Sequence, residues 1–145
     1  VTVLDDPLSP EEHLNLGMAY EKKGAYALAI QEYRQASRNV PLAHLFLGNA
    51  YFIHKEYRAA ERHYRKAIHE LPQNPCAYNN LAWLYYTQGV KYREAEVLAR
   101  QAVRLSTDER ISVYRDTLDR ILDASVRPSE KGFRLHGQGL ETEQK

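Results

Sequence analysis

At 145 residues the chain has room for one domain with a modest core, and little room for a second. Twenty Lys and Arg against nineteen Asp and Glu leave a formal net charge of +1, which excludes a global pull toward nucleic acid or an anionic membrane and directs the search for partners to protein. A single cysteine, Cys76, excludes an internal disulfide, so packing must supply the stability.

Taken in chain order, residues 1–9 read as a lead. Ser9, Pro10 and Glu12 then carry the N-cap, first-turn proline and capping-box pattern. They start a predicted helix over residues 10–23. Further helices are expected over 26–38, 41–54, 57–69, 75–88 and 92–104, with Asn74 and Pro75 repeating the cap and proline of the first. Ile111, Tyr114, Leu118, Ile121 and Leu122 recur at helical spacing and predict a seventh helix near 109–124. From Val126 onward Pro128, Gly132, Gly137 and Gly139 stand among mixed charges, and residues 126–145 are expected to be a disordered tail. No stretch approaches the roughly 18 uninterrupted apolar residues of a membrane span, and no secretion leader is visible. An opening Val1 in place of Met reads as a processed or excised piece, so localisation stays open.

Three of these segments align on one another. Leu16, Gly17 and Tyr20 are followed by Gly24, Tyr26, Ala29, Tyr33, Ala36 and Pro41. Leu47, Gly48 and Tyr51 are followed by Tyr57, Ala60, Tyr64, Ala67 and Pro72, and Leu81, Ala82 and Tyr85 by Gly89, Tyr92, Ala95, Ala99 and Ala102. The offsets are 31 from Leu16 to Leu47 and 34 from Leu47 to Leu81, the period of a helical-pair repeat. The leucines and tyrosines form one apolar stripe per helix, and the small residues let helix backbones approach.

With these residues the chain resembles the tetratricopeptide repeat family over about residues 10–105. The resemblance implies an all-α fold, a right-handed superhelical α-solenoid of antiparallel helix pairs with about seven helices. Residues 10–40, 41–74 and 75–107 would be the three repeats, and 108–125 a capping helix that keeps the end of the stack soluble. Three departures touch the turns. Asn39 and Val40 run straight into Pro41, Lys55 replaces the turn glycine of the second repeat, and one extra residue lies between Gly89 and Ala95.

The resemblance also implies a function, a protein or peptide ligand held against the first helices of the pairs by an adaptor or assembly scaffold. The inward positions would be Met18, Glu21 and Lys22, then Leu45, Asn49, Phe52 and Ile53, then Asn79, Trp83 and Tyr86. That surface is mostly apolar and aromatic, with asparagines available to hydrogen-bond a ligand backbone and Trp83, Phe52 and Tyr86 as anchors. The plainer alternative packs several of them against the adjacent helix. Chaperone-binding members grip a terminal carboxylate with Lys, Asn and Arg. The corresponding positions here hold Leu14, Met18, Phe46, Cys76 and Asn80, so that clamp is absent.

Enzymatic chemistry finds little to use. His13 and His44 occupy equivalent positions, where packing outweighs catalysis, and His63 and His69 lack the spacing of a zinc protease. No phosphate-binding glycine loop or serine elbow is present, and no metal or cofactor is expected. Arg34, Arg38, Arg58, Arg62, Arg65, Lys66, Arg100 and Arg104 lie on the second helices, and Glu32, Glu61 and Glu96 among them favour a solvated face over specific nucleic-acid binding. An alternative reading is an accessory domain of a larger bacterial enzyme, because Tyr78 to Trp83 and Tyr114 to Leu118 look like repeat segments attached to proteins such as exported papain-like peptidases. A third reading is self-association through an exposed repeat end.

Overall fold

The computed structural model describes residues 5–136, with side chains through Arg127. Among the described residues there are seven helices and no strand: α1 (Pro10–Lys22), α2 (Tyr26–Ala36), α3 (Ala43–Ile53), α4 (Tyr57–Glu70), α5 (Pro75–Gln88), α6 (Tyr92–Leu105) and α7 (Ile111–His136). Helix α1 begins where its caps dictate. Ser9 Oγ accepts from the Glu12 backbone N–H at 3.2 Å, and the Ser9 N–H donates back to Glu12 Oε2 at 2.7 Å. The Asn74 side chain caps α5 in the same way, accepting from the Cys76 N–H at 2.9 Å.

Pairs α1–α2, α3–α4 and α5–α6 pack along their lengths, successive pairs stack, and α7 lies on α6 and α5. Each pair closes on one contact. Tyr33 of α2 and Tyr64 of α4 lay their rings over Gly17 and Gly48, where a Cβ would overlap ring carbons. The third pair carries Ala82 and Ala99, both fully buried, at the matching positions and has no ring over a glycine there. Leu47, Leu81 and Leu84 are essentially fully buried, each contributing roughly 1.5–3 kcal/mol by leaving water. Ala29, Ala60 and Ala95 are sealed beside them.

A second device links one pair to the next. The Arg34 guanidinium on α2 donates to the Tyr51 hydroxyl on α3 at 2.6 Å, and Arg65 on α4 donates to Tyr85 on α5 at 2.7 Å. Arg65 also meets Glu61 and Glu94, and Lys91 adds a contact to Glu61 at 3.3 Å and to the Tyr85 ring face at 4.9 Å. Of the convex charges expected to pair locally, Arg65–Glu61 and Arg100–Glu96 do so at i, i+4. Glu32 instead turns to His13.

The turns explain the sequence departures. Gly24 and Gly89 sit at φ 76° and 68°, and Lys55 takes the same left-handed conformation at φ 59° without being glycine. The extra residue of the third turn is absorbed by Lys91 at φ 51°. In the shortened connection, Ala43, His44 and Leu45 bond back to the carbonyls of Val40, Pro41 and Leu42, so α3 begins at Ala43, two residues later than expected.

The seventh helix corrects the expected end of the cap. It runs on to His136, through residues 126–136 that were expected to be disordered, and Pro128 lies within it. Proline withholds one backbone donor, but an existing helix extends at one hydrogen bond per residue and can bridge a single missing one. The rest of the expected tail, residues 137–145, and residues 1–4 of the lead lie outside the described residues. Tyr114 of α7 meets Cys76 of α5 at 3.1 Å, and burial with this contact pushes its hydroxyl up to about 12.

Candidate functional site

Helices α1, α3 and α5 lie side by side and line a shared open channel. Its inner part is a depression of about 340 Å³ bounded by Glu21, Asn49, Phe52, Ile53, Tyr64, Asn80 and Trp83. An outer part of about 470 Å³ continues past Met18, Ala19, Glu21, Lys22 and Phe46. Glu21 borders both. Met18 and Ile53 are 44% and 49% exposed, far more than apolar residues of the core, so the channel offers apolar surface to solvent.

The polar groups of the inner part are held in fixed orientation. Asn49 Oδ1 accepts from the Tyr64 hydroxyl and from Asn80 Nδ2, each at 2.9 Å. Both lone pairs of that oxygen are thereby used, and the Asn49 amide presents its two N–H donors. Tyr64 serves as donor because burial holds its hydroxyl well above the ordinary tyrosine value. Tyr33, raised by burial and then by Glu21, donates to Glu21 Oε2 at 2.5 Å and leaves Oε1 to the channel.

Seven of the ten expected residues line the channel: Met18, Glu21, Lys22, Asn49, Phe52, Ile53 and Trp83. The other three do not bound either depression. Leu45 and Asn79 are each only 8% exposed, because the rotation of α3 and α5 turns them into the packed interior. Asn79 Oδ1 is buried there without a hydrogen-bond partner among the described residues. Tyr86 is tilted against Trp83 at 5.1 Å between ring centroids, with Arg120 of α7 beside its hydroxyl. Ala19, Phe46, Tyr64 and Asn80 also line it outside the expected set, Phe46 and Asn80 each being the next residue along from Leu45 and Asn79. The i, i+3, i+7 row Phe46, Asn49, Ile53 was the signal for the true face of α3.

Three of the six histidines make contacts that recur one repeat apart. His13 Nδ1 lies 2.6 Å from Glu32 and Nε2 lies 2.9 Å from Asp6, and the Glu32 hydrogen bond leads in raising the His13 pKa. The equivalent pair one repeat on is His44 and His63, with Nδ1 atoms 3.1 Å apart. Burial, followed by His44 and the cations Arg62, Arg34 and Lys66, brings His63 down to about 4. No group of three or more metal-ligating side chains is present among the described residues. No helix there is long and apolar enough to cross a membrane.

Stacked antiparallel helix pairs whose first helices share one channel define a helical-repeat solenoid, the architecture of a protein-interaction scaffold. Tetratricopeptide-repeat families match residues 2–44, 14–75 and 63–97, and the chain belongs to the tetratricopeptide repeat family, which is generally a non-catalytic interaction module. Among solved structures, BtubC (BKLC) from P. vanneervenii is similar with a TM-score of 0.70 at 17% identity, over 99% of this chain and 72% of BtubC. Two structures of MamA are similar with TM-scores of 0.65 and 0.59 at 19% and 20% identity, covering 86% and 94% of this chain and 83% and 80% of theirs. At these identities the likeness speaks for the fold. No curated protein matches the sequence.

Proposed function

We propose that the chain is an adaptor or assembly scaffold that holds a polypeptide segment of its partner in the channel formed by α1, α3 and α5. The observation that carries this reading is Asn49. Two donors saturate its oxygen, so its amide stands ready to donate to a carbonyl at no cost in reorientation. Every peptide offers such carbonyls, while Phe52, Ile53 and Trp83 beside it offer apolar contact for alternate side chains. An aromatic anchor next to an oriented amide is the combination on which interface energy concentrates.

The test is a pull-down from the source cell extract with the immobilised chain beside an Asn49→Ala, Trp83→Ala double variant of equal helical content. Partners captured by the chain and lost with the variant are expected. Partners retained equally by both would move the function to the convex face or α7 and overturn the channel as the site.

A further inference from the structure

We infer that the channel selects a peptide carrying a lysine or arginine between apolar side chains, with the cation seated on Glu21; this rests on the channel being the binding site. The argument starts from the charges that reach the inner depression. Of its seven lining residues Glu21 alone is ionic, and it is an acid. Lys22 borders only the outer part, beside Met18 and Phe46, because consecutive residues of a helix point about 100° apart.

The carboxylate is held in place and keeps one oxygen in reserve. Tyr33 donates to Oε2, and no cation of the chain pairs with Glu21 among the described residues. No hydrogen bond from a neighbouring lining residue takes that reserve among the described residues. Tyr64 and one N–H of Asn80 donate to Asn49, and Phe52, Ile53 and Trp83 line the depression with apolar surface beside the carboxylate. An incoming ammonium or guanidinium therefore meets a preoriented acceptor flanked by apolar walls, where a charge-assisted hydrogen bond is stronger than at an open surface. The same walls receive the aliphatic stem of Lys or Arg and the apolar residues on either side. An acidic ligand would place two carboxylates together, which the site disfavours.

The experiment uses the chain with a positional-scanning library of unstructured eight-residue peptides, followed by titration of selected peptides on the fluorescence of Trp83, the only tryptophan. Lys or Arg is expected at one position with apolar residues beside it. Replacing that residue by norleucine should weaken binding roughly ten- to hundredfold, and raised salt should narrow the gap. Glu21→Gln keeps an acceptor for Tyr33 and so preserves the fold. It should bring the basic and norleucine peptides to similar affinity while Asn49→Ala weakens both and leaves their ratio intact. Selected peptides without a basic preference, or a ratio unchanged in Glu21→Gln, would overturn the assignment while leaving the channel as the site. Selected peptides indifferent to Asn49→Ala, or no selection at all, would overturn both readings.

Discussion

Replacing Gly17 by alanine tests the closure of the helix pair directly. A Cβ on Gly17 would lie 2.5 Å from Cδ1 and Cε1 of Tyr33, about 1 Å inside the ordinary contact distance of two carbons. The ring cannot swing away freely, since Tyr33 is fully buried and its hydroxyl is tied to Glu21. Overpacking of a tight core costs about 1–3 kcal/mol, and this overlap belongs at the upper end. Alanine offsets about 1 kcal/mol of that through its higher helix propensity. The net expectation is a loss of about 2 kcal/mol, which lowers the urea midpoint by about 1 M for a chain of this size. Urea titration followed by far-ultraviolet circular dichroism reads the shift. Tyr33→Leu supplies the control, because it removes the ring carbons that the new Cβ would overlap. In that background Gly17→Ala should be neutral or stabilising, a coupling of about 2 kcal/mol or more between the two positions. Equal destabilisation in both backgrounds, or none in either, would refute the ring-over-glycine account.

Lys55→Gly should stabilise the chain by about 0.5–1 kcal/mol, seen as a raised urea midpoint, because Lys55 occupies a left-handed turn that glycine adopts without steric cost. His63 should make stability fall with acid. It is neutral in the folded chain down to about 4, whereas the unfolded imidazole takes its proton near 6.5, so stability present above 6.5 is lost as pH drops toward 4. His63→Gln should flatten that limb of the thermal midpoint against pH. His13 acts with the opposite sign: its raised value makes a contribution present below 6.5 and lost as pH climbs through the folded value, and His13→Gln should flatten the alkaline side. Arg65→Met removes the donor to Tyr85 and two exposed ion pairs, and should lower stability by about 1 kcal/mol in the same urea assay.

The helices were legible because the signals that make them are local. Ser9, Glu12 and Asn74 act within three residues of themselves, and the Leu–Tyr stripes need only the helical period. The face each helix turns to its neighbours is a tertiary property. One residue is a rotation of about 100°, and that increment separates Leu45 from Phe46 and Asn79 from Asn80. The histidine pairing was half visible. His13 and His44 stood out as equivalents, but Glu32 and His63 share the same 31-residue offset on the second helices, and only together do they name the contacts. The length of α7 was hidden by Pro128, a residue that reads as a stop in isolation and that an already formed helix tolerates.

The arginine–tyrosine contacts give the stack unequal joints. A guanidinium bonded to a phenol has a preferred direction, so the junctions of α2 with α3 and of α4 with α5 resist rotation of one pair against the next. At the junction of α6 with α7 the matching residue, Arg100, pairs with Glu96 of its own helix at 2.8 Å. The last helix is held differently, by the Tyr114–Cys76 contact between α7 and α5 and by the burial of Ile121. Arg120 beside Tyr86, and Tyr86 against Trp83, carry an unbroken line of side-chain contact from α7 to the wall of the channel.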